Sequence, residues 1–275
     1  MTGEALAGLS LNTATVRAQW GLEEMIPACR PAGITGISPW RDQVAATGLE
    51  ETARMIEGEG LAVTGLCRGG MFTRAEADGT QAVLDDNRRA IEEAARIGAA
   101  CLVLVVGGLA PGSRDIDGAR AQVRDMLGVL LPEARKAGVP LAIEPLHPMY
   151  AADRACVNTM AHANDLCDEL GEGLGIALDV YHVWWDPALS DEIVRAGRRI
   201  LAFHICDWLV PTRDLLMDRG MMGDGVIDIP RIRKEVQATG YSGHAEVEIF
   251  SSEDWWKRPP EEVLATCRER YDSVV

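Results

Sequence analysis

Short apolar runs alternate with longer amphipathic stretches along this chain, and they do so eight times. The runs are LSLNTA (9–14), ITGIS (34–38), LAVTGLC (61–67), CLVLVV (101–106), PLAIEPL (140–146), LGIALDV (174–180), ILAFHIC (200–206) and HAEVEIF (244–250). Between them, stretches such as 48–60, 80–99, 117–138 and 230–240 carry apolar residues at three- and four-residue spacing, and several close on glycine, the usual helix stop. Near-continuous apolar runs suit strands covered on both faces, and their alternation with helices predicts a parallel sheet. Eight such units in 275 residues predict a closed (β/α)8 TIM barrel, with an open doubly wound sheet as the alternative. No Pro-, Gly- or Ser-rich linker divides the chain, so 1–275 reads as a single domain.

Composition removes several classes of function. The formal charge of −15 is spread along the chain, and such a surface repels phosphate backbones, so nucleic acid is not an expected partner. No run approaches the roughly 18 apolar residues of a membrane helix. The opening MTGEALAGLSLNTATVRAQW has no basic region leading into a hydrophobic segment, so no secretory signal is expected. Seven scattered cysteines without a C-x-x-C pair suit reduced thiols in the cytoplasm. VVGGLAPGSRD (105–115) is glycine-rich but lacks the lysine and spacing of a phosphate-binding loop.

The chemistry of such a barrel gathers at the C-terminal ends of its strands. There the sequence places Glu144, Asp179, His204 and Glu248, in or just after the fifth to eighth runs. Each has a bland reading on its own, as a paired core group or a strand end in water. Four on consecutive strands converge on one mouth, and three carboxylates there need a compensating cation. Three oxygen donors and one imidazole suit one divalent ion, Mn²⁺ first, with Mg²⁺, Co²⁺ and Zn²⁺ accepting the same set. Glu246 and Glu248 lie on one face of the last strand, and spacing does not separate them.

AIEP (142–145), ALDVYH (177–182), FHICD (203–207) and VEIF (247–250), in this order, resemble the sugar phosphate isomerase/epimerase family of xylose-isomerase-like TIM barrels. Ketose 3-epimerases and inosose-processing enzymes belong to that family. The resemblance covers nearly the whole chain and includes GMMGDGVIDIPRI (220–232), similar to the family's G-x-G-x-I-D loop. It implies a divalent metal on Glu144, Asp179, His204 and Glu248, favouring Glu248 over Glu246, with His182 beside a small carbohydrate substrate. It also implies that Glu144 and Glu248 act as acid and base, removing a proton next to a carbonyl to give a metal-stabilised enediolate.

Two features depart from the pattern. Ketose epimerases carry an arginine shortly after the strand-seven histidine, whereas HICDWLVPTRD (204–214) has Val210 there and Arg213 displaced. In EPLHPMYAADR (144–154), His147 follows Glu144 by three residues, either as a second acid or base or as a loop imidazole in solvent. Trp40 and Arg41 after the second strand, and Arg68 after the third, are further candidates for contact with a sugar, although arginines at a barrel mouth often pair with carboxylates. Trp255 and Trp256 either cover the site or meet another copy in a homo-oligomer. The alternative function is the lyase subunit of a C-glycoside deglycosidase, acting on 3-oxo sugars with a small β-rich partner. A sugar-binding barrel without catalysis and an apurinic-site nuclease are weaker readings, the nuclease because it needs a cluster of several zinc ions, against five histidines and a strongly acidic balance here.

Overall fold

The computed structural model describes residues 5–74 and 78–275. The strands are β1 (Gly8–Asn12), β2 (Gly36–Ser38), β3 (Ala62–Val63), β4 (Leu66–Gly70), β5 (Leu102–Val105), β6 (Leu141–Ile143), β7 (Leu174–Asp179), β8 (Ile200–Ile205), β9 (Asp207–Trp208), β10 (Arg219–Gly220) and β11 (His244–Val247). Among the described residues, nine of them form one parallel sheet in the order β3-β2-β1-β11-β8-β7-β6-β5-β4, and β9 and β10 form a short antiparallel ribbon.

The two ends of that sheet, β3 and β4, are halves of the single run expected at 61–67. β3 pairs with β2 and β4 with β5, while the Cys67 amide donates to the Pro39 carbonyl at 2.9 Å and Trp40 bridges to Cys67. The broken strand therefore bonds to both neighbours, and eight staves close a (β/α)8 barrel. Helices Leu49–Glu59, Thr80–Arg96, Ile116–Ala137 and Ile229–Ala238 fall where the periodicity predicts them. Gly60 and Gly138 stop two of these helices in the left-handed conformation, at φ 62° and 71°.

Alternation along each strand separates two environments. Leu141, Ile143, Ile176, Leu178, Phe203 and Ile205 point outward into the large core under the helices. Ala142, Ala177 and Ala202 join Cys67, Cys101 and Val103 in a separate inner cluster. Small side chains inside leave room, and the residue two positions beyond each alanine shares its face. Those residues are Glu144, Asp179 and His204.

A register shift aligns the last two. β7 and β8 start with Ile176 opposite Ile200, then skip a residue so that Ala177 meets Ala202 and Asp179 meets His204. Without the skip, Asp179 would face Phe203 and the imidazole would lie on the wrong parity. Gly175 permits it, because a Cβ there would lie 2.4 Å from the Arg199 carbonyl oxygen and 2.6 Å from Leu201.

Gly175→Ala is therefore expected to destabilise the protein by about 1–3 kcal/mol through overpacking. Gly128→Ala, on the exposed side of a helix and meeting only Leu170 at 3.9 Å, should stabilise it, by about 0.5–1 kcal/mol. Urea denaturation of both variants checks the pair; equal shifts would contradict the bulge argument.

Candidate active site

Glu144 follows β6, Asp179 ends β7, His204 lies in β8 and Glu248 follows β11. All four side chains are buried, and one ligand atom from each lies within 4.8 Å of every other. His204 Nδ1 is 3.1 Å from Glu144 Oε1 and 3.8 Å from Glu248 Oε2. Three carboxylates and one imidazole fit a divalent cation by donor chemistry. Burial pushes the Glu248 carboxyl up to about 8, against the pull of Arg219 and with Glu144 adding to the rise. Burial works against the His204 imidazolium, but Glu246, Glu144 and Glu248 together hold its pKa well above the usual range.

Glu246 and Glu248 share a face, but they sit at different depths. Glu246 pairs in register with His204, and its Oε1 lies 3.4 Å from His204 Nε2, on the side away from the cluster. Its two oxygens accept from Asn12 Nδ2 at 2.8 Å and Thr64 Oγ1 at 2.7 Å. Glu248, one step further along, reaches the cluster. Glu246 thus backs the imidazole, and Glu248 joins the donors.

The positive charge nearest the cluster belongs to Arg219, a residue the sequence reading did not single out. Its Nη1 donates to Asp179 Oδ2 at 2.8 Å and to Glu248 Oε2 at 3.1 Å, and its guanidinium lies 4.5 Å from the Tyr181 ring centre. Arg219 sits in β10, and the loop beyond that ribbon is organised by Asp207 in β9. The Asp207 carboxylate accepts the amides of Gly223, Gly225 and Ile227, all within 3.0 Å. A Cβ at Gly225 would lie 2.1 Å from the Trp208 carbonyl oxygen, so the second glycine of GDGVID (223–228) allows a close approach. Asp228 then caps helix Ile229–Ala238. The available signal was an arginine embedded in the mostly apolar RGMM (219–222), all four of which are buried.

Arg213 does not reach the cluster. It is half exposed and pairs with Asp218, the residue next to Arg219. His182 does approach: it is buried, its Nδ1 accepts the His147 amide at 3.2 Å, and its Nε2 lies 3.1 Å from Arg219 Nη2 and 3.6 Å from Asp179 Oδ2. Burial pushes its pKa down to about 3, so the ring is neutral. The His147 imidazole turns away, packed between Trp208 and Trp185 with ring centres 5.1 and 5.6 Å apart. The His147 backbone amide is what reaches His182.

A cavity of about 50 Å³ lies against the cluster, walled by Glu144, Glu248, His182, Arg219, Arg68 and Trp40, with Val103, Val105, Leu146 and Phe250 as its apolar side. Past Trp40, Cys67 and Arg68 it adjoins a cleft of about 510 Å³. Trp40 is fixed by its indole N–H, which donates to Asn12 Oδ1 at 2.8 Å. Arg41 borders only the outer cleft, with its guanidinium taken up by Asp86 and Glu93. Trp255 is buried, and Trp256 donates to the Ala14 carbonyl at 3.0 Å, so both pack on this chain's own barrel.

Replacing Arg219 by Met keeps the bulk and leaves Asp179 and Glu248 without the guanidinium. In EDTA this variant should be less stable than the wild type by about 3–5 kcal/mol. Added Mn²⁺ or Zn²⁺ should then stabilise it more than it stabilises the wild type. Thermal unfolding with and without the ion checks this, and an equal response in both proteins would contradict the charge argument.

The chain is similar to several known proteins. A crystal structure of the protein SMc04130 from Sinorhizobium meliloti 1021 superposes with a TM-score of 0.96 at 60% identity, covering 98% of each chain. The inosose isomerase of Halalkalibacterium halodurans is 26% identical over 151 residues, which span 52% of this chain and 50% of that relative. The IOLI protein, solved with a bound zinc atom, superposes with a TM-score of 0.85 at 21% identity over 97% of both chains, a likeness of fold. The family model of xylose isomerase-like TIM barrels matches residues 26–269. With that match over most of its length, and with the barrel it forms, the chain belongs to the xylose isomerase-like TIM-barrel family.

Proposed function

We propose that this protein is a divalent-metal-dependent isomerase or epimerase of a small sugar or polyol-derived ketone, working by proton transfer at a carbon next to the carbonyl. One observation carries the reading: of the four clustered donors, only Glu144 and Glu248 line the cavity, while Asp179 and His204 are fully buried. Asp179 and His204 are thus holders alone, and the two glutamates can both hold a cation and meet a substrate. A cation held by Glu144, Asp179, His204 and Glu248 would supply Lewis-acid polarisation of the sugar carbonyl. Zinc in the IOLI protein supports a divalent ion of this type, and Mn²⁺ is the first choice for the donor set.

Glu144 and Glu248 come from strands separated by β7 and β8. One carboxylate takes a proton from the carbon, and the other returns one, from the opposite side for epimerisation. Neutral His182 and the Arg219 guanidinium offer hydrogen bonds to the sugar oxygens and orient the ring. Val103, Val105, Leu146 and Phe250 form the apolar side of the cavity, against which the carbon skeleton of a sugar would lie. The outer cleft gives room for an aglycone and supports a second reading, a lyase on 3-oxo glycosides that starts from the same proton abstraction.

Incubation in D₂O with ketoses, inososes and 3-oxo glycosides should give deuterium at one carbon, read by NMR and abolished by EDTA; the product separates epimerase from lyase. Glu248→Gln should keep the fold and lose exchange, and wild-type turnover in that variant would sink the assignment. Glu246→Gln should weaken metal binding by roughly 10–100-fold through the loosened imidazole, measured by competition with a chelating dye. Unchanged affinity would remove Glu246 from the account.

A further inference from the structure

Arginines at the barrel mouth are matched by acids. Arg17 meets Asp42, Arg41 meets Asp86 and Glu93, Arg213 meets Asp218, and Arg219 meets Asp179 and Glu248. Arg68 departs from this rule. It lies partly buried at the junction of the inner cavity and the outer cleft, and among the described residues no hydrogen bond or ion pair reaches its guanidinium. Arg154, which lines the inner cavity together with Arg68 and Arg219, adds to the excess. Its nearest carboxylate is that of exposed Asp153 at 3.9 Å, a pair that solvent screens. Burial holds the Arg68 pKa below its usual value, and the Arg154 charge lowers it further. Glu144 is the carboxylate nearest in effect, and a cation at the cluster would share that charge.

In a chain of net charge −15, Arg68 and Arg154 both line the inner cavity, Arg68 with no acidic partner among the described residues and Arg154 with only the screened Asp153, and their two charges repel. Neutral sugar hydroxyls would accept hydrogen bonds there without relieving the repulsion. An anion relieves it, and a planar guanidinium binds carboxylate or phosphate oxygens two at a time. We propose that the substrate carries an anionic group, a carboxylate or a phosphate, bound by Arg68 and Arg154 while its carbonyl end meets the Glu144–Glu248 cluster. This rests on the isomerase reading above and narrows its substrate class. Arg68 acts in binding, so its loss is felt in KM more than in kcat.

The test uses metal-loaded wild type, Arg68→Gln and Arg68→Lys, each first shown to unfold with a wild-type transition. Solvent deuterium exchange is measured on a neutral ketose, on a ketose phosphate and on a ketouronate of the same chain length. Binding of inorganic phosphate and of glycolate is followed separately by calorimetry. We expect one anionic substrate to exceed the neutral ketose at least tenfold in kcat/KM, and which one it is identifies the anion. Arg68→Gln should cut that preference at least tenfold, through KM, and Arg68→Lys should restore part of it. A neutral ketose that is the best substrate, with Arg68→Gln affecting all three alike, would overturn the anion site and leave the isomerase reading standing. If nothing exchanges, the isomerase reading fails and calorimetry decides the rest. Phosphate or glycolate binding that weakens at least tenfold in Arg68→Gln upholds the anion site, and no binding of either overturns it.

Discussion

Four carboxylates and an imidazole share the interior of an apolar barrel near its mouth, and that arrangement requires positive charge. Glu144, Asp179, Glu246 and Glu248 are all buried, and all lie around His204. Removing such groups from water costs several kcal/mol each unless they are paired. Within the chain the compensation comes from Arg219, which bridges Asp179 and Glu248, and from the hydrogen bonds that hold Glu246. Burial, with Glu144 adding to it, still raises the Glu248 pKa against the pull of Arg219. The donors Glu144, Asp179, His204 and Glu248 could hold a divalent cation, which would add to that compensation.

Small features of the sheet bring these groups together. The inner alanines at 142, 177 and 202 leave space, and strand parity sets a functional residue two positions beyond each. The register shift between β7 and β8, allowed by Gly175, places Asp179 level with His204. The broken third strand closes the barrel, and Arg68, at the register irregularity between Cys67 and Gly69, lines both the cavity and the cleft. Asp207 ties down the loop beyond the ribbon that carries Arg219. The site is therefore a property of the sheet geometry more than of any single motif.

The barrel and the four clustered donors were legible in the sequence because an ionisable residue in an apolar run stands out against its neighbours. The remaining features depend on depth or on path. Glu246 and Glu248 share a face, so spacing does not separate them; the family resemblance favours Glu248, and the structure puts Glu246 behind the imidazole and Glu248 in the cavity. Arg213 drew attention by its nearness to His204 along the chain, yet Arg219 arrives by way of the antiparallel ribbon. His147 follows Glu144 closely in sequence, but its ring packs against Trp208 and Trp185 and its amide donates to His182. Arg41 carries no sign in the sequence of the two acids from helix Thr80–Arg96 that hold it.

The most direct test is anomalous diffraction from crystals grown with Mn²⁺. The account predicts one strong peak bonded to Glu144, Asp179, His204 Nδ1 and Glu248, with Arg219 drawn back from at least one of its two carboxylates. A cluster without a peak, its carboxylates still bridged by Arg219, would mean that the guanidinium is the only counter-charge and that the metal centre is not there.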